Sequence, residues 1–355
     1  MIYTVDCSGD DIDKPIECYN ENKKSKYKIQ LNEFIGKGSY GSVYMAKDGN
    51  KYIVAKIQKY EKGNKINKES LENEIIMTEY IRSLNLSYVV EILGYSWIST
   101  NKYIYGIIFM EKLEKTLKIY ESEFISNDMS SILLQGPLLF YINQTLIILK
   151  DLHTKNIFHA DNHLSNFMID SNKNVKIIDF GLLLTTNLEE LKSIANSLGL
   201  KFYIQDRLIL LLELLLIRVK NNNLKSKIIN FNECKKKDYQ KLIDKHIKII
   251  KCVLGKYDYW ILAMSMNFEQ FIKFKGEILE SMKSDENCKS EDENDNKLIN
   301  ELVFDMLRYN YKIFDINETN QKKINQRKIA LKLFFFEFKN ILQHNKFEKL
   351  FSRYI

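Results

Sequence analysis

Apolar and polar residues alternate along residues 31–57, and we expect order in the chain to begin just before this pattern, near Tyr27. Successive side chains of a strand point to opposite faces, so a period of two indicates strands with one buried face. Turn-forming residues interrupt the alternation at 47–50, and two further apolar runs occupy 89–97 and 103–110. The pattern predicts a small antiparallel sheet of short strands.

The periodicity changes to that of a helix between Lys68 and Leu84, where one face collects the apolar positions 71, 75, 76, 80, 81 and 84. Further apolar helices are predicted over 137–153 and 204–219. The apolar run 208–217 is far shorter than the roughly 20 residues that cross a bilayer, so it indicates a buried helix. A sheet with one helix, followed by a larger helical part, predicts an α+β fold.

Two short apolar runs, 167–169 and 175–178, flank the polar residues 170–174. Asn, Asp and Ser readily adopt turn conformations, so this arrangement predicts a β-hairpin. Asn166 precedes the hairpin and Asp179 follows it, and the hairpin would therefore bring the two side chains together.

The composition is that of a globular chain, because 45% of its 355 residues are hydrophobic and 28% are charged. The net charge of +7 is small for this length and argues against nucleic acid as the main partner. The five cysteines show no spacing typical of zinc sites or disulfide frameworks, which favours a reducing compartment. Residues 1–13 lack the order of a signal peptide. These features predict a cytoplasmic protein without a transmembrane segment.

Oxygen-bearing side chains lie at short spacings in the segment 159–181, at Asp161, Asn166 and Asp179. Mg²⁺ prefers carboxylate, amide and phosphate oxygens, and a remaining carboxylate can accept the proton of a hydroxyl. The match to His-x-Asp-x-x-x-x-Asn is degenerate by itself, since Asp and Asn in loops are usually turn formers. Its combination with Asp-Phe-Gly at 179–181 favours phosphoryl transfer.

Glycines 36, 38 and 41 form the pattern Gly-x-Gly-x-x-Gly between two predicted strands. Glycine lets backbone N–H groups approach a phosphate closely and permits positive φ. Dinucleotide-binding domains carry the same pattern, but there it opens a helix. Val43 and Tyr44 follow the last glycine here and favour a strand, so a phosphate loop between strands is the preferred interpretation.

Lys56 lies on the predicted strand that is one hairpin away from the glycine pattern. Lysines on strands are usually solvated, but this one can point to the face beneath the glycine loop. Glu74 lies beside the apolar face of the predicted helix and is the expected partner of Lys56. Glu72 is the nearest alternative partner.

These motifs, in this order, resemble the eukaryotic-type protein kinase family, and the resemblance covers about residues 31–217. The resemblance implies a bilobal fold with a small N-lobe of antiparallel sheet plus one helix and a larger, mostly helical C-lobe. It also implies ATP and Mg²⁺ as cofactors. Asp161 would be the catalytic base, and Asn166 and Asp179 would hold the metal. Lys56 would hold the α- and β-phosphates, with Glu74 holding Lys56.

The resemblance further implies a surface that binds the nucleotide. Met110 would be the gatekeeper, and the backbone of Glu111 and Leu113 would meet adenine. The other positions expected to contact ATP are Ile35, Gly36, Lys37, Gly38, Ser39, Tyr40, Gly41, Ser42, Val43, Ala55 and Lys56.

The chain departs from the family pattern in its catalytic loop and activation segment. Ala160 replaces the arginine of His-Arg-Asp, so a phosphorylated activation loop would lack its usual guanidinium partner. His163 stands where a lysine near the γ-phosphate is usual. The only prolines are Pro15 and Pro137, so no Ala-Pro-Glu motif follows Gly181. In these respects the chain looks like atypical kinases, such as those of the tRNA threonylcarbamoylation complex, the poxvirus virion-assembly kinases and the aminoglycoside phosphotransferases.

The predicted organisation is a polar leader over 1–26, an N-lobe over 27–110, a C-lobe core over 111–219 and a helical C-terminal part over 220–355. Within the last part, residues 284–297 form a predicted disordered acidic loop, and 331–342 are apolar enough for a closing helix. Residues 218–251 carry eleven Lys or Arg against three acids. This basic stretch is a solvated helix face or, alternatively, a site for an acidic partner.

Three functions are compatible with these residues. The first is a Ser/Thr protein kinase that transfers the ATP γ-phosphate to a hydroxyl-bearing protein substrate. The second is a kinase for a small molecule or one dedicated partner. It is favoured by the activation segment, because the 27 residues from Asp179 to Asp206 are fewer than protein kinases usually have. The third is a pseudokinase scaffold, which the presence of Lys56, Asp161, Asn166 and Asp179 disfavours.

Overall fold

The computed structural model describes residues 5–8, 16–20, 25–37, 41–63, 65–126, 132–220 and 243–266, together with short runs between 274 and 306. Gly38, Ser39 and Tyr40, most of the basic stretch, most of the acidic loop and the predicted closing helix lie outside these residues. The described part groups into two compact units. The first unit comprises 1–116, 168–182 and 189–203, and the second comprises 117–167, 183–188 and 204–355.

A seven-stranded antiparallel sheet forms the centre of the first unit, with the strand order β1-β2-β3-β4-β5-β7-β6. Its inner face is lined by Tyr27, Ile29, Ile53, Ile107 and Phe109, all fully buried. Along the first part of β5, Ile53 and Ala55 are buried on one face of the strand, whereas Tyr52 on the opposite face stays exposed. The strands are β1 Val5–Ser8, β2 Ile16–Asn20, β3 Ser25–Lys37, β4 Ser42–Asp48, β5 Lys51–Glu61, β6 Ile92–Ser99 and β7 Tyr103–Glu111.

The beginning of the chain corrects one expectation. Order was expected near Tyr27, after a leader that is either loose or a strap over the first lobe, but β1 and β2 pair with each other, and β2 pairs with β3. Both pairings join backbone N–H and C=O groups, and the polar composition of this region does not reveal such pairing. The sheet therefore extends two strands beyond the predicted N-lobe.

Helix α1, Lys65–Ser83, supplies the helical element of the first unit. Leu71, Ile75, Ile76 and Ile81 are buried, as the sequence predicts for the apolar face. Leu71 sits so close to Gly106 on β7 that a Cβ at Gly106 would lie 2.4 Å from Leu71 Cδ2. This close approach fixes the helix against the sheet and sets the position of Glu74.

The predicted hairpin is present as β10 Phe167–Ile169 and β11 Val175–Ile177, and β10 also pairs with β8 Lys115–Thr116. Asp170 closes its turn by accepting hydrogen bonds from the backbone N–H groups of Asn172, at 2.9 Å, and Asn174, at 2.8 Å.

Helix α4, Leu188–Ser197, follows the hairpin. Residues 189–203 group with the first unit, although the sequence analysis assigned them to the C-lobe.

Helices dominate the described part of the second unit. They are α2 Leu117–Ser126, α3 Ile132–Thr154, α5 Asp206–Lys220 and α6 Ile247–Ser265. Strands β9 Ile157–Phe158 and β12 Leu184–Thr185 pair with each other, and a 3-10 turn spans Leu164–Asn166. Within the residues that the structure describes, no helix is both long enough and apolar enough to cross a membrane.

Two features of the second unit differ from expectation. Cys252 and Cys288 are joined as a disulfide, although no cysteine pair was expected. Asp285, assigned to a disordered acidic loop, is buried, with 3% of its surface exposed. The disulfide and the burial of Asp285 both depend on partners that are far away in the sequence. Neither residue spacing nor local composition reveals such partners.

Candidate active site

Lys56 and Glu74 form a buried ion pair in the first unit. The Lys56 Nζ atom donates to Glu74 Oε1 at 2.6 Å, and the residues are only 7% and 3% exposed. Burial alone would lower the pKa of Lys56, but the charges of Glu74 and Asp179 outweigh burial and raise it. The sequence predicted Glu74 rather than Glu72 as the partner, and the structure contains this pair.

Asp179 shares the same amine, because Lys56 Nζ also donates to Asp179 Oδ1 at 3.0 Å. The backbone of Asp179 has φ of 62°, a conformation that is uncommon outside glycine. Gly181 lies close to both carboxylates, since a Cβ atom at this position would lie 3.5 Å from Asp179 Oδ1 and 3.5 Å from Glu74 Oε2. Lys56 therefore bridges the helix carboxylate and the carboxylate of Asp-Phe-Gly.

Gln58 is a member of this cluster that the sequence reasoning missed. Its side-chain amide donates to the second oxygen of Glu74, and the residue is buried. Burial raises the pKa of Glu74, whereas the Lys56 charge and the hydrogen bonds from Lys56 and Gln58 lower it. The sequence could have identified Gln58, because residues 56 and 58 lie on the same face of a strand. A Cβ at Gly41 would lie 3.0 Å from Gln58 Cγ, so Gln58 also lies close to the last glycine of the Gly-x-Gly-x-x-Gly pattern.

The described residues among the expected nucleotide-binding positions lie on or next to the strands β3, β4, β5 and β7 of the first unit. Gly36 pairs with Val43 and Lys37 with Ser42, so the described ends of the glycine loop face each other across β3 and β4. Ala55 is fully buried next to Lys56. Of the remaining positions, Ile35 lies on β3 and is exposed, Met110 and Glu111 are the last residues of β7, and the buried Leu113 follows β7.

Asp161 and Asn166 lie together in the second unit. Asn166 Nδ2 donates to the backbone oxygen of Asp161 at 2.9 Å and to its Oδ2 atom at 3.2 Å. The Nε2 atom of His163 is 3.4 Å from the same Oδ2 atom. Burial would raise the pKa of Asp161, but His163, His159 and Arg207 together hold it below the ordinary value. Asp161 is therefore kept as a carboxylate, the form that can accept a proton.

Asp258 on α6 holds the backbone of this loop, and the sequence reasoning did not identify it. Its Oδ2 atom accepts the N–H of His159 at 2.9 Å, and its Oδ1 atom accepts the N–H of Ala160 at 2.7 Å. The sequence could have identified Asp258, because it is an acid in the middle of an apolar helix. Such a carboxylate is fully buried here and therefore requires partners. Asp258 thus fixes the two residues that precede Asp161.

His153 connects Asp258 with Asp285. Its Nε2 atom lies 3.1 Å from Asp258 Oδ2 and its Nδ1 atom 3.0 Å from Asp285 Oδ2. Burial would lower the pKa of His153, but the hydrogen bonds and charges of the two carboxylates raise it to about 9. Gly255 leaves room for this arrangement, since a Cβ there would lie 2.9 Å from Asp285 Oδ2.

This histidine gives a testable dependence of stability on pH. A pKa of about 9 in the folded state against 6.5 for the free side chain means that protonated His153 stabilises the fold. The contribution is complete below pH 6.5 and is lost as the pH rises through 9, and it amounts to about 3 kcal/mol. We expect His153→Gln to destabilise the protein strongly at about pH 6 and much less at about pH 10.

Chemical denaturation of both proteins at several pH values measures this difference. His246→Gln is the matched control, because burial and Lys245 lower the pKa of His246, and its loss should not produce the same trend. An equal loss of unfolding free energy at both pH values would contradict a protonated His153.

The structure thus brings the predicted catalytic residues together in two sets. Lys56, Glu74 and Asp179 form one set in the first unit, and Asp161 and Asn166 form the other in the second unit. The donor chemistry of Asp179 and Asn166 fits Mg²⁺, which is commonly held by one or two carboxylates together with substrate phosphates.

Comparison with known proteins identifies the family of the chain. The model of the protein kinase domain matches residues 29–213, more than half of the chain. The chain therefore belongs to the protein kinase family. The predicted α+β fold class, with an antiparallel sheet and one helix preceding a mostly helical part, is confirmed.

Similar proteins include several named as kinases. The chain is 29% identical over 170 residues to mitogen-activated protein kinase kinase kinase 1 of Arabidopsis thaliana, covering 46% of this chain and 26% of that protein. It is 30% identical over 160 residues to cyclin-dependent kinase 1 of Encephalitozoon cuniculi, covering 43% of this chain and 50% of that protein. A dual specificity protein kinase of Dictyostelium discoideum is 27% identical over 165 residues, covering 46% of this chain and 20% of its own length. The chain therefore spans half or less of the length of these relatives.

Proposed function

We propose that the protein is an active kinase that transfers the γ-phosphate of Mg-ATP to a serine or threonine hydroxyl of a protein. The observation that carries this proposal is the bridging of Glu74 and Asp179 by the buried Lys56 amine. A buried ammonium held in this way is positioned for phosphate oxygens. Phosphoryl transfer needs mainly such positioning and charge neutralisation, because little covalent chemistry is left for the protein.

In this proposal the two sets of residues have complementary roles in phosphoryl transfer. Lys56 holds the α- and β-phosphates, Glu74 orients Lys56, and Asn166 and Asp179 hold Mg²⁺. Bound Mg²⁺ neutralises the charge of the phosphates. The backbone around Gly36 and Gly41, the part of β5 at Ala55 and the end of β7 surround the nucleotide. Asp161 accepts the proton of the substrate hydroxyl, and its lowered pKa keeps it ready for that role.

A second candidate is a kinase for one dedicated partner or a small molecule. It is favoured by the segment that follows Asp-Phe-Gly, which lacks Ala-Pro-Glu and in which residues 189–203 group with the first unit. The side chain of Asn73 on α1 binds the backbone of Tyr203 at two points, donating to its oxygen at 2.8 Å and accepting from its N–H at 3.0 Å. A segment held in this way offers a different docking surface from a long, free activation loop.

A transfer assay with labelled Mg-ATP distinguishes these functions. We expect label on serine or threonine of general protein substrates or of proteins in a cell lysate, and none with Asp161→Asn. Small alcohols, including aminoglycosides, choline and sugars, should stay unlabelled. Label on one of these alcohols alone would establish the second candidate. Binding of Mg-ATP without any transfer, including to the protein itself, would indicate a pseudokinase and would refute the proposal.

A further inference from the structure

One face of α6 connects the disulfide with the catalytic loop, residues 159–166. Cys252, Gly255 and Asp258 follow one another at intervals of three residues, so they lie along one side of this helix and span about 9 Å of its axis. Cys252 forms the disulfide with Cys288. Asp258 accepts two backbone N–H groups of the catalytic loop. A covalent crosslink and the carboxylate that holds the loop thus share one helix face.

Asp285 and Cys288 are held on this face together. The N–H of Cys288 donates to the backbone oxygen of Asp285 at 3.0 Å, which couples the positions of the two residues. The Asp285 carboxylate lies in the space that Gly255 leaves open, and its Oδ2 atom is 3.0 Å from His153 Nδ1. Opening the disulfide removes the covalent crosslink between Cys288 and α6, so Asp285 is then held beside His153 by weaker contacts.

His153 transmits the position of Asp285 to the loop. Its ring is buried between the two carboxylates, because its Nε2 atom is 3.1 Å from Asp258 Oδ2. The same Oδ2 atom accepts the N–H of His159 at 2.9 Å. A buried imidazole that loses one of its carboxylates is expected to shift, since a buried polar group requires a partner. Displacing Asp285 should therefore loosen Asp258 and the loop backbone that it holds.

The catalytic loop depends on Asp258 because part of its backbone is unfavourable by itself. Ala160 has φ of 60°, in the left-handed region that residues with a Cβ rarely adopt. The Oδ1 atom of Asp258 accepts the N–H of this residue at 2.7 Å. A loosened Asp258 would thus allow the residue before Asp161 to change conformation.

The two sulfurs of the disulfide differ in exposure. Cys252 is fully buried, whereas Cys288 is partly exposed. Thiol–disulfide exchange requires a thiolate to reach one of the sulfurs, so a reductant meets Cys288 first. The sequence favours a reducing compartment, and disulfides that form in such compartments are usually transient, catalytic or redox-sensing. The crosslink is therefore placed where a reductant can open it.

We propose that the Cys252–Cys288 disulfide is a redox-sensitive lock, which keeps the catalytic loop in its active arrangement and releases it when a dithiol reductant opens the bond. A thiolate of the reductant attacks Cys288 Sγ, the S–S bond breaks, and Cys252 leaves as a thiolate that takes up a proton. The second thiol of the reductant, as a thiolate, then displaces Cys288, so the reductant becomes a disulfide and the protein gains two thiols. The effect on phosphoryl transfer rests on the proposed function, whereas the release of the loop does not.

The effect on activity is measured on the full chain before and after treatment with dithiothreitol, and again after reoxidation. We expect reduction to lower kcat by about tenfold, because a small displacement of a reacting group is costly, and we expect reoxidation to restore it. Cys288→Ser should have the low kcat of the reduced protein and should not respond to dithiothreitol. The control is the double variant Cys7→Ser with Cys18→Ser, which changes two cysteines that lie opposite each other on β1 and β2. It should retain the full response.

Amide hydrogen exchange of the catalytic loop tests the lock without any turnover. The N–H groups of His159 and Ala160 are protected by Asp258, and we expect reduction to speed their exchange by about tenfold or more. Asp285→Ala should speed it similarly while mass spectrometry shows the disulfide intact, and reduction of this variant should add little. A rise that is equal in the loop and along α5, as a general loss of stability would produce, refutes the lock.

These measurements separate the lock from the proposed function. Faster exchange confined to the loop of the reduced protein supports the lock even if the protein transfers no phosphate. An active protein whose kcat and loop exchange are the same in both redox states retains the proposed function and overturns the lock. Oxidised protein in which mass spectrometry finds Cys252 and Cys288 as free thiols overturns it as well. If Cys288→Ser does not fold, the reversible reduction of the wild type decides alone.

Discussion

Replacing Asp161 with asparagine is expected to lower kcat by about 10²–10⁴ while Mg-ATP still binds. The amide cannot accept the proton of the attacking hydroxyl, whereas the carboxylate of the wild type is held ionised by its neighbours. The substitution keeps the size of the side chain and its contact with Asn166. The loss should therefore appear in the transfer step and not in nucleotide affinity.

Single-turnover transfer and equilibrium binding of a fluorescent ATP analogue measure the two quantities separately. Asp151→Asn on α3 is the matched control, because Asp151 is an Asp of the same unit whose ion pair with Lys155 is exposed. It should leave both quantities within about twofold of the wild type. An Asp161→Asn protein that transfers phosphate at the wild-type rate would remove Asp161 from the role of base.

The sequence could predict those parts of the site whose geometry is set within one or two neighbouring elements. The hairpin that carries Asp170 follows from turn-forming residues between two short apolar runs, and the buried face of α1 follows from a period of 3.6 residues. The pairing of Lys56 with Glu74 followed from one strand and one helix placed by the resemblance. In each case the position on an element largely decides where the side chain points.

Other contacts depend on how distant elements pack, and a pattern along the chain does not contain that information. Asp258 reaches His159 across a separation of 99 residues, and Arg207 reaches Ala160 across 47. The Cys252–Cys288 bond and the burial of Asp285 have the same origin. The departures from the family pattern nevertheless indicate which positions have unusual contacts. Arg207, for example, contacts Ala160, the residue that replaces the usual arginine.

The buried cluster around Lys56 gives the second large effect. We expect Lys56→Met to lower kcat/KM for ATP by about 10² or more, because the phosphates lose the cation that is positioned for them. Removing one partner of a buried ion pair also leaves the other charge without compensation. The variant should therefore unfold more easily, by about 3 kcal/mol near neutral pH.

The loss of stability should depend on pH in a defined direction. Burial already raises the pKa of Glu74, and Lys56 is the main group that opposes this rise. Without Lys56 the pKa of Glu74 rises further, so the carboxyl becomes neutral as the pH falls and its burial then costs less. The difference in unfolding free energy between wild type and Lys56→Met should consequently shrink from about pH 8 to about pH 5.

Chemical denaturation across this range tests the argument, and the double variant Lys56→Met with Glu74→Gln provides the control. The second substitution removes the buried charge while keeping a polar side chain of the same size that can remain near Gln58. The double variant should regain much of the stability that Lys56→Met loses at pH 8, and it should no longer respond to pH in this way. It should remain as inactive as Lys56→Met, because a stable fold does not replace the missing cation. A stability loss in Lys56→Met that is the same at every pH would show that Glu74 is not the charge left uncompensated.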